Sequence, residues 1–218
     1  DGDWSSDVCS SDLNIVQIFE VGESPRGDYF VMEFLSGKAV DQLLDTEGPA
    51  APQRVAPLVR QLLSALEAAH GKQVLHRDLK PENIIVLPPD DDHPNERVKL
   101  VDFGIAKAQE VLHDDPGEGA TLVKTRAGGF VGTPRYCSPE MIVGDPVDPS
   151  SDLFSLGLVL AEWFTGEPVI EPERQGKVMA ELVQPEPFDI SDCPADWQEW
   201  LARLIHKDPE RRFSTAAE

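Results

Sequence analysis

The chain has 218 residues, of which 40% are apolar and 27% charged, and its formal net charge at pH 7 is −21. These values indicate a globular protein of one or two compact units. Nucleic acids and anionic membranes bind surfaces on which Lys and Arg cluster, so the negative charge argues against either as the main partner.

No apolar run approaches the length that a bilayer requires, and no basic segment followed by an apolar one opens the chain. The three cysteines, Cys9, Cys137 and Cys193, lack the spacing of a metal site. We therefore expect a cytoplasmic domain in a reducing compartment, with any membrane span lying outside these residues.

The first 13 residues differ in character from the rest of the chain. Asp3 to Leu13 show neither the alternation of a strand nor the apolar stripe of a helix, and they abut a strand-like stretch without a linker. This run also resembles the in-frame translation of a common sequencing adapter. We interpret residues 1–13 as a non-native segment, with a natural Ser/Asp-rich disordered leader as the alternative.

Five stretches predict regular secondary structure. Alternating residues over 14–21 and 29–34 predict a β-hairpin. Apolar residues at helical spacing predict an amphipathic helix over 55–70. Residues 153–164 are apolar on nearly all sides, which predicts a buried helix. An apolar stripe over 197–205 predicts another helix.

Two short runs carry the chemistry. Residues 76–83 read His-Arg-Asp-Leu-Lys-Pro-Glu-Asn, and residues 102–104 read Asp-Phe-Gly. Between them, strands predicted at 84–87 and 98–101 flank an acidic loop, so a hairpin should carry Asn83 on one side and Asp102 on the other.

These side chains fit phosphoryl transfer, in which catalysis depends on alignment and on neutralising phosphate charge. Asp78 would accept the proton of the attacking hydroxyl, and Lys80 would offset charge on the transferred group. Asn83 and Asp102 would bind Mg²⁺, which prefers hard oxygen ligands. His76 fits a scaffold residue bonded to nearby backbone better than a base.

Three later runs extend the pattern. Residues 132–140 read Gly-Thr-Pro-Arg-Tyr-Cys-Ser-Pro-Glu, residues 148–157 begin Asp-Pro-Ser-Ser-Asp, and residues 207–213 read Lys-Asp-Pro-Glu-Arg-Arg-Phe. The order and spacing of these runs resemble those of the Ser/Thr protein kinases. Within that family, the sequence is most similar in character to bacterial kinases of the eukaryotic type. Ser138 and Phe154 depart from the family's usual alanine and tryptophan.

The resemblance implies an α+β, protein-kinase-like fold. Residues 14–35 would be a two-strand remnant of the small lobe with the hinge, and residues 36–218 a helical large lobe. The family's glycine-rich loop and strand lysine match no residues here. We therefore expect an N-terminally truncated fragment that is inactive as given.

The resemblance also implies roles for individual residues, with ATP and Mg²⁺ as cofactors and a protein Ser/Thr hydroxyl as acceptor. The expected nucleotide pocket comprises Met32, Glu33, Leu35, Glu82, Ile85 and Val101. Thr133 would shape the substrate seat. The expected structural residues are His76, Gly104, Asp152, and Glu140 paired with Arg212.

Residues 105–130 are long, polar and Gly-rich, as in a regulatory loop. Thr121 and Thr125 lie near the positions at which related kinases autophosphorylate, and Arg77 could bind the new phosphate in a bidentate manner. An unmodified flexible loop is the alternative.

Three functions therefore compete: a Ser/Thr protein kinase, a pseudokinase or scaffold, and a small-molecule kinase of related fold. The presence of Asp78, Lys80, Asn83 and Asp102 together disfavours the scaffold, which has no chemical need for all four. The run at 132–140 favours a protein substrate over a small molecule.

Overall fold

The computed structural model describes residues 13–24, 27–103, 134–171 and 175–218. Its strands are β1 (Ile18–Ser24), β2 (Gly27–Met32), β3 (Lys38–Ala39), β4 (Ile84–Leu87) and β5 (Arg97–Leu100). Its α-helices are α1 (Val40–Glu47), α2 (Pro52–His70), α3 (Pro139–Val143), α4 (Pro149–Thr165), α5 (Gln175–Val183) and α6 (Ala195–Leu204). Among the residues described, no helix combines the length and hydropathy that a bilayer crossing demands.

The strands form two sheets, and both predicted hairpins are present. β1 and β2 pair antiparallel, with Val21 opposite Phe30. β3, β4 and β5 form a three-stranded antiparallel sheet. The chain ahead of β1 is anchored on the second sheet, because the amide of Val16 donates to Leu100 O at 2.9 Å. The small hairpin thus starts beside the strand that leads to Asp102.

The three predicted helices are also present, and local signals explain their ends. α4 begins at Pro149, since the Asp148 side chain caps it by accepting from Ser150 N at 2.8 Å and proline suits the first turn. It ends at Gly166, whose φ of 82° is left-handed. The helix is buried on nearly every side, as its apolar composition predicts.

The large-lobe core forms where α2 and α6 pack around α4. A methyl group added to Gly157 of α4 would lie 2.6 Å from Ile205 Cγ2 and 2.9 Å from Leu204 Cβ. Only glycine therefore allows α4 and the end of α6 to approach this closely. The buried face of α2 completes the core with Val55, Leu58, Leu62, Leu66 and Ala69.

A buried ion pair ties the end of the chain to α3. Arg212 Nη1 and Nη2 donate to Glu140 Oε1 and Oε2 at 2.7 and 2.9 Å, which confirms the predicted pairing. Ser151 Oγ donates to the same carboxylate at 2.5 Å. Burial raises the pKa of Glu140, but Arg212 and Ser151 outweigh it and hold that pKa below its ordinary value.

Replacing Arg212 should therefore be costly. Arg212→Met leaves the Glu140 carboxylate buried without its partner, and we expect the free energy of unfolding to fall by about 3–5 kcal/mol in urea titrations at pH 8. The control is Arg211→Met, whose side chain is 72% exposed, with an expected change within about 0.5 kcal/mol.

The stability lost in Arg212→Met should also depend on pH, in a direction that follows from the Glu140 pKa. In the wild type the Glu140 pKa is lowered, so its contribution is complete above the unfolded pKa and is lost as the pH falls through the folded one. In Arg212→Met the hydrogen bond from Ser151 remains, but we expect burial to outweigh it and to raise the Glu140 pKa, so the variant's deficit should shrink between pH 8 and pH 5. A deficit that is constant over this range would contradict the account.

Candidate active site

Residues 76–83, which we call the catalytic loop after the role that the sequence predicts for it, lie between α2 and β4. Residues 81–83 form a 3₁₀ turn in which Asn83 N donates to Lys80 O at 3.0 Å. Leu79 and Pro81 are buried, whereas Asp78 is exposed. The apolar side chains thus anchor the loop on the core and leave Asp78 facing solvent.

Asp152, in the first turn of α4, holds the catalytic loop in place through hydrogen bonds to its backbone. Its Oδ1 accepts from Arg77 N at 2.8 Å, and its Oδ2 accepts from His76 N at 2.8 Å and His70 Nε2 at 2.7 Å. Burial raises the pKa of Asp152, but the hydrogen bond from His70 and the nearby His76 and Arg77 outweigh it and lower that pKa. Arg77 holds a φ of 64°, a strained value for arginine.

The ring of His76 bonds to nearby backbone, as predicted. His76 is fully buried, its Nε2 lies 3.0 Å from Val101 O, and its ring packs on Phe103 with centroids 4.6 Å apart. Burial lowers its pKa despite the nearby carboxylates. A neutral ring donates from Nε2 to the carbonyl of Val101, so His76 joins the catalytic loop to the strand end before Asp102.

Asp78, Lys80 and Asn83 are hydrogen-bonded together. Lys80 Nζ donates to Asp78 Oδ2 at 2.7 Å, and Asn83 Nδ2 donates to Asp78 O at 2.8 Å and to Asp78 Oδ2 at 3.3 Å. Burial lowers the pKa of Lys80, but Asp78, with Glu82 and Asp102, raises it on balance. Because the Asn83 nitrogen faces Asp78, its amide oxygen points the other way and can bind a cation.

Asp102 lies at the same edge of the β4–β5 hairpin as Asn83. The amide of Val101 donates to Asn83 O at 3.0 Å, and Asp102 turns off the strand with a φ of 60°. Its charge acts on Lys80 and His76. Asn83 and Asp102 offer the oxygen ligands that Mg²⁺ prefers. In proteins this ion usually completes its coordination shell with water and phosphate oxygens.

The described residues hold no group of three or more His, Cys, Asp or Glu that could bind a metal alone.

The predicted hinge is braced against the β4–β5 hairpin. Glu33 N donates to Gln17 O at 2.9 Å, and its carboxylate accepts from Gln17 N at 2.8 Å and from Lys99 Nζ. Lys99 lies opposite Ile85 in the sheet. Met32 ends β2 with 41% of its surface exposed, and Leu35 is half-buried.

The other predicted site residues divide into two groups. Ile85 and Val101 are half-buried, whereas Glu82 is exposed and its charge acts on Tyr136 and Glu162. The remaining predicted residues lie outside the described part of the chain: Gly104, Thr121, Thr125 and Thr133.

Sequence reasoning missed two residues that support this site. His70 shows no ligand spacing, yet it donates to the Asp152 carboxylate from the end of α2. Lys99 resembles an ordinary strand residue, yet it binds Glu33. The one available signal is a lone charge inside the Val-rich stretch 98–101, which indicates a partner for Lys99.

Removing the charge of Asp152 should weaken the hydrogen bonds that hold the catalytic loop and make its backbone amides exchange faster. Asp152→Asn keeps one acceptor but turns an NH₂ group toward a donor, so we expect about 3 kcal/mol less stability. Amide exchange measured by NMR should accelerate at His76 and Arg77 beyond the change in global unfolding. Asp145→Asn, at an exposed position, is the control. Unchanged protection of both amides would show that Asp152 does not hold the loop.

Comparisons with known proteins identify the family of this chain. The model of the protein kinase domain matches residues 8–218. The chain is 35% identical over 212 residues to serine/threonine-protein kinase PknB of Mycobacterium tuberculosis, covering 94% of this chain and 32% of that protein. It is 42% identical over 154 residues to serine/threonine-protein kinase pkn3 of Myxococcus xanthus, covering 70% of this chain and 27% of that protein.

The chain thus spans about a third of the length of the curated relatives it matches. Among solved structures, the kinase domain of Mycobacterium tuberculosis PknI aligns with a TM-score of 0.70 at 22% identity, covering 97% of this chain and 72% of that one. This alignment supports the α+β kinase fold. The chain belongs to the protein kinase domain family.

Proposed function

We propose that the chain is the large lobe, with part of the small lobe, of a Ser/Thr protein kinase that transfers the γ-phosphate of ATP to protein hydroxyls. One observation carries the proposal: exposed Asp78 is held by Lys80 and Asn83 at the edge of the sheet where Asp102 lies. A base, a cation and two magnesium ligands on one edge suit in-line phosphoryl transfer.

Each residue then has a defined task. Asp78 accepts the proton of the attacking hydroxyl, and its Lys80 partner keeps a positive charge beside the transferred group. The Asn83 amide oxygen and the Asp102 carboxylate orient the metal. Bound magnesium-ATP supplies the phosphoryl group and neutralises charge on its oxygens.

The substrate side supports a polypeptide acceptor. Residues 134–136 form a short turn, and Tyr136 Oη donates to Glu162 Oε2 of α4 at 2.6 Å. Glu140 then ties the following helix to Arg212. A segment anchored at both ends is a rigid platform for an extended peptide. The curated relatives are named serine/threonine-protein kinases, which agrees with a Ser/Thr acceptor.

The activity can be tested in a chimera that places the glycine-rich loop and strand lysine of a relative ahead of residues 14–218. We expect magnesium-dependent phosphorylation of Ser or Thr in a protein substrate. Asp78→Asn should lower its rate by at least about 100-fold, the contribution of a general base. Asp91→Asn, in the exposed loop between β4 and β5, is the matched control.

The outcomes separate the three candidate functions. Nucleotide binding without transfer would favour a scaffold, and transfer to small molecules alone would favour the related small-molecule kinases. The 218-residue chain tested alongside should bind magnesium-ATP with a Kd of about 1 mM or weaker, because it lacks the residues that cover the phosphates. Micromolar binding with transfer by this chain would contradict that part of the proposal.

We also propose that Arg77 receives a phosphate on Thr121 or Thr125. The Nε atom of Arg77 is buried and has no hydrogen-bond partner within the described residues, so a phosphate oxygen would satisfy it. In the chimera, Thr121→Ala with Thr125→Ala should remove loop phosphate and slow activation. An unchanged activation time course without loop phosphate would refute this role.

The proposed domain division keeps residues 1–13 as a non-native segment, 14–35 as the small-lobe part and 36–218 as the large lobe. Resequencing the source locus tests whether residues 1–13 are non-native. A native coding sequence for Asp3 to Leu13 would refute that assignment. We place the domain in a reducing, cytoplasmic compartment, the expected setting for cysteines that lack the spacing of a metal site.

A further inference from the structure

The segment that joins the β1–β2 hairpin to β3 runs from Glu33 to Gly37. We call residues 33–37 the hinge segment. Its middle faces solvent, since Phe34 is 90% exposed. Its two ends, in contrast, both contact the β4–β5 hairpin.

The first end of the hinge segment is held by an ion pair. Lys99 Nζ donates to the carboxylate of Glu33, and the two side chains are only 11% and 25% exposed. Glu33 Oε1 also accepts from Gln17 N at 2.8 Å, and Lys99 Nζ also donates to Ile15 O at 3.2 Å. The pair, which we call the clasp, therefore joins the hinge segment, β5 and the chain ahead of β1.

The second end of the hinge segment is held by close packing. A methyl group added to Gly37 would lie 2.9 Å from Ile85 Cγ2 and closer still to Val86 O, so any larger residue would displace β4. Ile85 lies opposite Lys99 in the β4–β5 ladder. Both ends of the hinge segment are therefore fixed at neighbouring points of one hairpin.

The same hairpin carries the proposed magnesium ligands. Asn83 directly precedes β4, and Asp102 follows Lys99 by three residues, which is about 10 Å along an extended strand. The hinge segment and the magnesium ligands are thus attached to a single hydrogen-bonded element. The clasp sets the position of the hinge segment on that element.

The clasp is better suited to fixing geometry than to adding stability. Removing a carboxylate and an ammonium from water costs free energy that offsets most of their attraction, so a partly buried pair adds little net stability. The hydrogen bonds that the pair makes to backbone still select one position of the hinge segment. The ion pair of Lys38 with Glu47 differs, because its atoms lie 3.9 Å apart and its side chains are 53% and 43% exposed.

We propose that Lys99 is a positioning residue for the nucleotide. By holding Glu33, it fixes the hinge segment where the backbone would contact the base, while Asn83 and Asp102 hold the ion on the phosphates. Lys99 would act through Glu33 and would not itself contact the reacting atoms. This inference rests on the proposed kinase function and adds to it a residue outside the catalytic motifs.

The clasp can be tested without nucleotide by amide hydrogen exchange in the 218-residue chain. Glu33 N donates to Gln17 O at 2.9 Å. In Lys99→Met this amide should exchange at least about tenfold faster, beyond any change in global stability, because local opening of the hinge segment becomes easier. The amide of Asn83 should keep its protection. The control is Lys38→Met, on β3 of the adjoining sheet, which should leave exchange at Glu33 unchanged.

In the chimera, Lys99→Met should raise the KM for magnesium-ATP about tenfold, equivalent to about 1.4 kcal/mol of binding free energy. Its kcat should stay within about twofold of the unsubstituted chimera, because the lost interaction places the nucleotide equally before and during transfer. Glu33→Gln weakens the same contact without removing Lys99 and should also raise the KM. The double variant should cost no more than Lys99→Met alone, since the two residues act as one pair.

Unchanged exchange at Glu33 in Lys99→Met, or an unchanged KM in both single variants, would overturn the proposal. Additive effects in the double variant would also overturn it, because Lys99 would then act separately from Glu33. A fall in stability and kcat without a change in KM would show a purely structural role. A chimera that transfers no phosphate would instead refute the proposed function, and exchange at Glu33 would then decide alone whether the clasp holds the hinge segment.

Discussion

The Asp152 carboxylate is the interaction on which the rest of the site depends. It is 1% exposed, and it accepts the amides of His76 and Arg77 together with the His70 ring. Hydrogen bonds to a charged group contribute about 1.5–3 kcal/mol each. Together they can hold Arg77 at a left-handed φ that an arginine avoids when unconstrained. This strained turn leaves Asp78 at the surface, while Leu79 and Pro81 are buried.

The second constraint is the β4–β5 hairpin, which sets the distance between the two runs. Its strands pair in register from Ile84 with Leu100 to Leu87 with Arg97. Asn83 and Asp102 flank this ladder, so backbone pairing alone brings them to one edge. The His76 ring adds a cross-link through Val101 O. Catalytic loop and hairpin therefore form one unit anchored on α4.

The sequence predicted much of this arrangement because the relevant signals were local. Apolar patterns predicted both hairpins and three of the six α-helices that the structure describes, namely α2, α4 and α6, and motif order gave the candidate base and the candidate metal ligands. The Glu140–Arg212 pair came from family resemblance, since no local pattern links residues 72 positions apart.

His70 and Lys99 could not be predicted in this way. His70 is the last residue of an amphipathic helix, where a histidine commonly interacts with the helix dipole or with solvent. Its role emerges only when α4 places Asp152 within 2.7 Å. Lys99 and Glu33 are likewise brought together by the packing of the hinge on the hairpin. Both depend on tertiary packing that propensity does not encode.

The central claim is that Asp78, Lys80, Asn83 and Asp102 surround a nucleotide-bound divalent ion. The most direct measurement is paramagnetic broadening of backbone amide signals in the ¹⁵N-labelled chimera when the manganese complex of a non-hydrolysable ATP analogue is added. The account predicts broadening centred on Asn83 and Asp102, with the amides of Glu140 and Arg212 unaffected. Broadening centred elsewhere, or its absence at Asn83 and Asp102 under saturating nucleotide, would contradict it.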